Sequence, residues 1–144
     1  QQIGGILCNP ISCEITYGLE RITTFLQNSF TISNIIFDYI DDKGITYGTL
    51  YDNYEIEMCF YNFKLADTKI LINLFSYIEK ECQKLLTQCF VETTYELIIK
   101  LSHIFNLLEA RSAFSQIEKK KFIAKIQKLS NCVAKIYFLQ KKKK

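Results

Sequence analysis

The sequence has a single histidine, no Cys-x-x-Cys pair and little alanine, and it contains no apolar run of the roughly 18 residues needed to span a bilayer. His103 and six scattered cysteines (Cys8, Cys13, Cys59, Cys82, Cys89 and Cys132) offer no metal-ligand spacing, so no zinc site is expected. Without a spanning segment, membrane insertion is excluded. Nothing resembles a secretory signal peptide. Several cysteines fall at apolar positions of predicted helices, where a free thiol behaves as a small hydrophobe, so a reduced, cytoplasmic protein is expected. Strong charge is also missing. The formal net charge is +3, with the positive residues concentrated near the end, and such a balance does not by itself indicate a nucleic-acid partner. Sparse alanine beside heavy use of Ile, Lys, Asn, Phe and Tyr suits an AT-rich genome.

What is present is enough for one ordinary domain with a core: 144 residues, 49% of them hydrophobic. The organising stretch runs from Cys13 to Phe25. Glu14, Ile15, Thr16 and Tyr17 alternate polar and bulky side chains as a strand does, Gly18 supplies a turn, and Leu19, Ile22, Phe25 and Leu26 recur at helical spacing. Arg21 then stands in the first turn of a helix, where the dipole is positive and a cation loses roughly 0.3–1 kcal/mol. Two readings account for it. Either an anion sits over the helix start, held by backbone N–H groups and the guanidinium together, or Glu20 neutralises Arg21 at the surface.

Around this stretch, Gln1 to Cys8 reads as a short strand broken at Gly4-Gly5, with a turn at Asn9-Pro10 leading into the strand of Glu14 as an antiparallel hairpin. The helix after Gly18 is expected to end near Asn28. Thr31 to Tyr39 reads as a connecting segment closed by a turn at Asp41-Asp42-Lys43-Gly44, and Thr46-Tyr47-Gly48 opens a further helix. Asp67 is an N-cap for a helix reaching about Leu86, with Ile70, Leu71, Leu74, Phe75, Ile78, Cys82 and Leu85 on one face. Thr93 with Glu96, and Ser115 with Glu118, form capping boxes for two more helices. Short connections make these three helices an antiparallel bundle. The apolar stripes read as core. His103 reads as structural, as do Asn106, Glu109 and Arg111, through capping and ion pairs between helices.

Glu-Ile-Thr-Tyr-Gly-Leu-Glu-Arg, from Glu14 to Arg21, closely resembles the third signature motif of class II aminoacyl-tRNA synthetases, a strand running into a helix that begins Gly-x-x-Arg. The resemblance is strongest to the alpha subunit of the bacterial heterotetrameric glycyl-tRNA synthetase. It continues through Gln1-Gln2-Ile3-Gly4-Gly5, Thr46-Tyr47-Gly48, Tyr61-Asn62-Phe63 with Ala66-Asp67, and Phe105-Asn106-Leu107-Leu108 with Ala110-Arg111, covering essentially the whole chain.

That resemblance implies an α+β fold: the C-terminal part of a class II antiparallel-sheet catalytic domain over residues 1–45, followed by a mostly helical domain over residues 46–144. It implies ATP-dependent activation of glycine and its transfer to tRNA(Gly), with ATP and Mg2+ as cofactors. The implied partner is a beta subunit, in an assembly of two alpha and two beta subunits. Motif position for motif position, Arg21 contacts the terminal phosphate of ATP and Gly18 leaves room for adenine. Glu14 pairs with the ammonium of glycine, with Thr16 beside it, and Gln1 and Gln2 face the substrate cleft. For Glu14 a surface ion pair, for Thr16 plain strand propensity and for the glutamines strand-end hydrogen bonds remain alternatives. Cys13 departs from the pattern, since the family commonly has glycine there. The family's alpha subunit carries a long catalytic portion ahead of the point matching Gln1, so the chain reads as a C-terminal fragment, inactive alone. The competing readings are a noncatalytic helical module docking to a beta subunit or tRNA, and an alanine-specific class II relative. The final lysines, Lys141 to Lys144, read either as an RNA contact or as a frayed helix end.

Overall fold

The computed structural model describes residues 1–142, and its fold is α+β: two separate two-stranded antiparallel ribbons and five α-helices. In chain order these are β1 (Gln2–Ile3), β2 (Ile6–Leu7), α1 (Leu19–Leu26), β3 (Ile36–Ile40), β4 (Lys43–Thr46), α2 (Tyr47–Phe60), α3 (Thr68–Thr87), α4 (Val91–Ala110) and α5 (Gln116–Lys142). A 3-10 turn occupies Ile32–Asn34, and α2 runs into a π-helical turn at Tyr61–Leu65. The chain forms two compact units, one of Gln1–Ser12 with Phe63 onward, the other of Cys13–Asn62. No described helix is long and apolar enough to cross a membrane.

The first unit holds almost all of the core. Asp67 caps α3 as expected, its Oδ1 accepting from the backbone N–H groups of Lys69 at 2.7 Å and Ile70 at 3.2 Å. Helices α3 and α4 are joined by residues 88–90 alone, which turns them back on one another. Leu71, Phe75 and Cys82 of α3 are buried against Ile98, Leu101, Ile104, Phe105, Leu107 and Leu108 of α4, and Leu129 and Val133 of α5 join the same cluster. Ile70 and Leu74, placed on the apolar face of α3 by their spacing, are 64% and 43% exposed. Burial pushes the Cys82 thiol up, as suits a cysteine that serves as a small apolar side chain. Arg111 donates from Nη1 to the Ala66 carbonyl at 2.8 Å, tying the end of α4 to the start of α3, while Lys119 pairs with Glu109 and Lys125 with Glu79. Arg111 and Glu109 therefore serve structure, as their positions suggested. Asn106 and His103 lie exposed on α4.

One of the two expected capping boxes forms. Ser115 donates to Glu118 Oε2 from its hydroxyl at 2.7 Å and from its backbone N–H at 2.9 Å, and the Glu118 N–H returns a bond to Ser115 Oγ at 3.2 Å. These bonds, chiefly that of the Ser115 side chain, hold the Glu118 carboxyl below its usual value. A carboxylate depressed in the folded state stabilises it above the unfolded value, near 4.5, and this contribution disappears as pH falls through the folded value. Acid titration of the helical signal should therefore show the start of α5 loosening below about pH 4.5, and Ser115→Ala should remove that component; an unchanged acid limb would contradict it. The Thr93–Glu96 box does not form. Helix α4 already begins at Val91, so both residues lie inside it, and Phe90 at its start provides no side-chain cap. Thr94 is buried instead, its hydroxyl returning to the Phe90 carbonyl.

Two further expectations near the chain start are corrected. Gln1 to Cys8 does not pair with the stretch holding Glu14; it folds on itself as the β1–β2 hairpin through Gly4-Gly5, with Gln2 opposite Leu7 and Ile3 opposite Ile6. Gly4 has φ +58, and a Cβ there would lie 2.7 Å from the Ala134 Cβ of α5, so only glycine lets this hairpin approach the helix. Glu14 to Tyr17 is extended backbone without strand pairing, because no strand among the described residues lies beside it to take its N–H and C=O groups.

The second unit, Cys13–Asn62, has one buried side chain, Ile35, at 4% exposure. Thr31 to Tyr39, expected as a connector, contains β3, which pairs with β4 across a two-residue turn at Asp41 and Asp42, with φ of 49° and 59°. Positive φ at both positions matches the twist of a tight hairpin. Thr46 caps α2 by accepting from Thr49 N–H at 3.2 Å, and the Tyr47 N–H bonds the Ile35 carbonyl at 2.7 Å. The Gln27 amide, just past the end of α1, accepts from the Ile36 N–H at 2.8 Å and donates to the Ile36 carbonyl at 2.9 Å. Helix α1 is thereby clamped to β3.

Candidate functional site

Helix α1 begins directly after Gly18, whose φ of 82° lies outside the range that side chains favour and lets the extended backbone of Thr16 and Tyr17 turn sharply into the helix. No side chain caps that start. The third helical residue, Arg21, lines an open cleft of about 480 Å³ with Thr16, Tyr17, Gly18, Glu20, Ile32, Ser33, Tyr47 and Glu55. Among the described residues Arg21 makes no ion pair, either with Glu20 beside it or with any other carboxylate. An exposed guanidinium at the positive end of a helix, opening on a cleft, is an arrangement for holding an anion.

The walls of the cleft are fixed by α2 and the 3-10 turn. Tyr47 donates from its hydroxyl to Glu55 Oε1 at 2.7 Å, two turns further along α2. That hydrogen bond, with the Glu55 charge behind it, pushes the Tyr47 phenol up to about 12. The Tyr47 ring lies 4.8 Å from that of Tyr51 and 5.9 Å from that of Phe37. Opposite, Ser33 donates to Asp52 Oδ1 at 3.0 Å. Gly48 makes this approach feasible, since a Cβ there would come within 3.0 Å of the Ser33 carbonyl oxygen.

Of the residues singled out in the sequence, Thr16, Gly18 and Arg21 share the cleft. Glu14 is joined to it through Thr16, whose hydroxyl donates to Glu14 Oε1 at 2.8 Å. The two therefore act as a pair, although the strand expected to align them is absent. Gln2 stands in β1 and Gln1 just before it, in the other unit, both exposed. Ser33, Tyr47 and Glu55 are lining residues that motif reading passed over. For Tyr47 and Glu55 the available signal was a spacing of eight residues, which places them on one helix face. No group of three or more His, Cys, Asp or Glu side chains that could hold a metal ion occurs among the described residues. Of the terminal lysines, Lys141 and Lys142 belong to α5, whereas Lys143 and Lys144 lie outside the described residues.

Comparison with protein-family models gives a match described as glycyl-tRNA synthetase alpha subunit, and it spans residues 1–142 of the 144. That span takes in the Gly18–Arg21 turn, the cleft and all five helices. The chain belongs to the glycyl-tRNA synthetase alpha subunit family.

Proposed function

We propose that this chain carries the ATP-anchoring part of a glycine-activating site, in a subunit that charges tRNA(Gly) together with a beta subunit in the cytoplasm. The observation that carries the reading is Arg21 on the uncapped first turn of α1, without an ion-pair partner among the described residues and facing the cleft it shares with Gly18. In this reading residues 1–45 complete the catalytic domain, residues 46–144 form its helical extension, and two alpha subunits assemble with two beta subunits.

The chemistry needs no side-chain nucleophile. A carboxylate oxygen of glycine attacks the α-phosphorus of ATP, a P–O bond forms, the bond to the bridging oxygen breaks, and pyrophosphate leaves. The terminal ribose hydroxyl of the tRNA then takes the glycyl group and AMP departs. Such a site works by alignment and by positive charge placed where phosphate charge develops. Arg21 supplies that charge toward the terminal phosphate, and Gly18 allows the adenine to approach the backbone. Magnesium on the ATP phosphates supplies further positive charge when bound, and no residue of this chain is assigned to hold it. The Glu14 carboxylate, steadied by the Thr16 hydroxyl, receives the glycine ammonium.

Glycine-dependent exchange of pyrophosphate into ATP by the complete alpha and beta enzyme tests the reading, and absence of exchange would reject it. Within that assay Glu14→Gln keeps the shape and removes the charge. It is expected to raise KM for glycine several-fold more than KM for ATP. Equal rises for the two substrates would make Glu14 a structural residue.

A further inference from the structure

The charge of this chain is gathered on one helix. Helix α5 carries eight lysines against one glutamate, a surplus of seven positive charges in a chain of formal net charge +3, so the remainder is net negative. Four of those lysines, Lys121, Lys128, Lys135 and Lys142, recur at seven-residue intervals. Seven residues make almost two whole turns, with a drift of only about 20° per interval, so the four form one row along the helix. At about 1.5 Å of rise per residue the row is about 32 Å long, with a charge about every 10 Å.

The row faces solvent. Leu129 and Val133, the buried residues of α5, lie about 100° and 140° around the helix from Lys128, and all four lysines are exposed. Among the described residues none of the four forms an ion pair, whereas Lys119, and Lys125 beside the row between Lys121 and Lys128, pair with Glu109 and Glu79. The one acid of the helix, Glu118, is held by Ser115 at its start. Ala124, Gln127 and Asn131 lie exposed beside the first three lysines, whereas Phe138 and Leu139, 40% and 59% exposed, flank Lys135 and Lys142, and the Lys142 ammonium lies 4.6 Å over the Phe138 ring. A straight, regularly spaced row of ammonium groups complements a polyanion that is itself long and regular, such as the phosphate backbone of a double-helical RNA.

We propose that the row Lys121, Lys128, Lys135 and Lys142 is a phosphate-backbone contact surface for the RNA substrate, separate from the Arg21 cleft. The proposal rests on the assignment of the chain to a tRNA-charging enzyme. Each lysine neutralises a phosphate and releases condensed counterions, so the surface contributes affinity and orientation without reading bases.

The test is a quadruple Lys→Gln variant of the complete alpha and beta enzyme, with the quadruple Lys→Arg variant as its charge-retaining partner, measured for tRNA binding over a range of salt. With glutamine, affinity for tRNA should fall roughly ten- to a hundredfold near 0.15 M salt. The slope of log affinity against log salt should flatten by about 3 to 4, close to 0.9 per lysine. Arginine should restore both, and glycine-dependent pyrophosphate exchange, which needs no RNA, should be unchanged in either variant. Unchanged affinity and slope would overturn the proposal. Loss of beta-subunit association with unchanged RNA binding would overturn it too, making the row a protein contact. Absence of pyrophosphate exchange in the wild-type enzyme would defeat the reading of the Arg21 cleft, and the salt slope would still decide the row.

Discussion

Arg21→Ala in the complete enzyme is expected to slow glycine-dependent pyrophosphate exchange by roughly ten- to a hundredfold while leaving the fold intact. The range follows from losing one charge-assisted phosphate contact, worth about 1.5–3 kcal/mol in the transition state. The fold is spared because Arg21 is exposed and makes no ion pair among the described residues. Neighbouring positions sharpen the test. Glu20 lines the same cleft but carries the wrong charge for a phosphate, so Glu20→Gln should not reproduce the loss. Exchange by Arg21→Ala at the wild-type rate would leave Arg21 as a surface residue and remove the main support for the ATP-anchoring role.

Phe75→Ala should cost about 3–5 kcal/mol of stability in the helical unit, the range for truncating a fully buried aromatic side chain. Phe75 is 0% exposed, and its ring lies 4.6 Å from that of Phe122. Phe122 in turn lies 4.4 Å from Phe114, and Phe114 stacks on Phe105 at 5.8 Å. One run of rings thus links α3, α4 and the entry to α5, so the lost volume is shared by three elements that cannot all move inward. Leu139→Ala, on an exposed position of α5, should change stability by less than about 0.5 kcal/mol. Denaturant unfolding of the two variants decides the matter; a loss below about 1 kcal/mol for Phe75→Ala would mean that the rings repack without penalty.

The helices were legible wherever a side chain performs the capping. Asp67 and the Ser115–Glu118 pair announce α3 and α5 because oxygen at those positions binds orphan N–H groups, and Gly18 announces α1 by the turn it permits. The junction between α3 and α4 was not legible. The chain leaves α3 through Cys89 at φ 56° and α4 through Ser112 at φ 50°, each one residue past the C-cap, where glycine or asparagine would be the usual sign. With Phe90 offering no side-chain cap, the nearest capping pattern, Thr93 and Glu96, placed the N-cap at 93 rather than 90. The turn at Asp41 and Asp42 was legible, but the pairing of β3 with β4 across it was not, because β3 is exposed along most of its length and shows no clear alternation of buried and exposed side chains. Thr16, Gly18 and Arg21 come to one cleft as the motif suggested, because their placement follows from local backbone. Ser33, Tyr47 and Glu55 reach the cleft only through the packing of α2 on the 3-10 turn, which no linear pattern states.

The bond pair from Gln27 to Ile36 has a consequence for how the second unit survives in solution. A two-stranded ribbon leaves an outer edge able to recruit a strand from another molecule. At Ile36 that edge is already satisfied by a side chain, donor to acceptor and acceptor to donor, much as a third strand would satisfy it. The guarding residue sits one position past the end of α1, the helix that also presents Arg21. Fraying of α1 therefore does two things at once: it disperses the anion-facing turn and uncovers an adhesive edge. The start of α1 and the edge of β3 are thus coupled through a single glutamine, in a unit whose one buried side chain is Ile35.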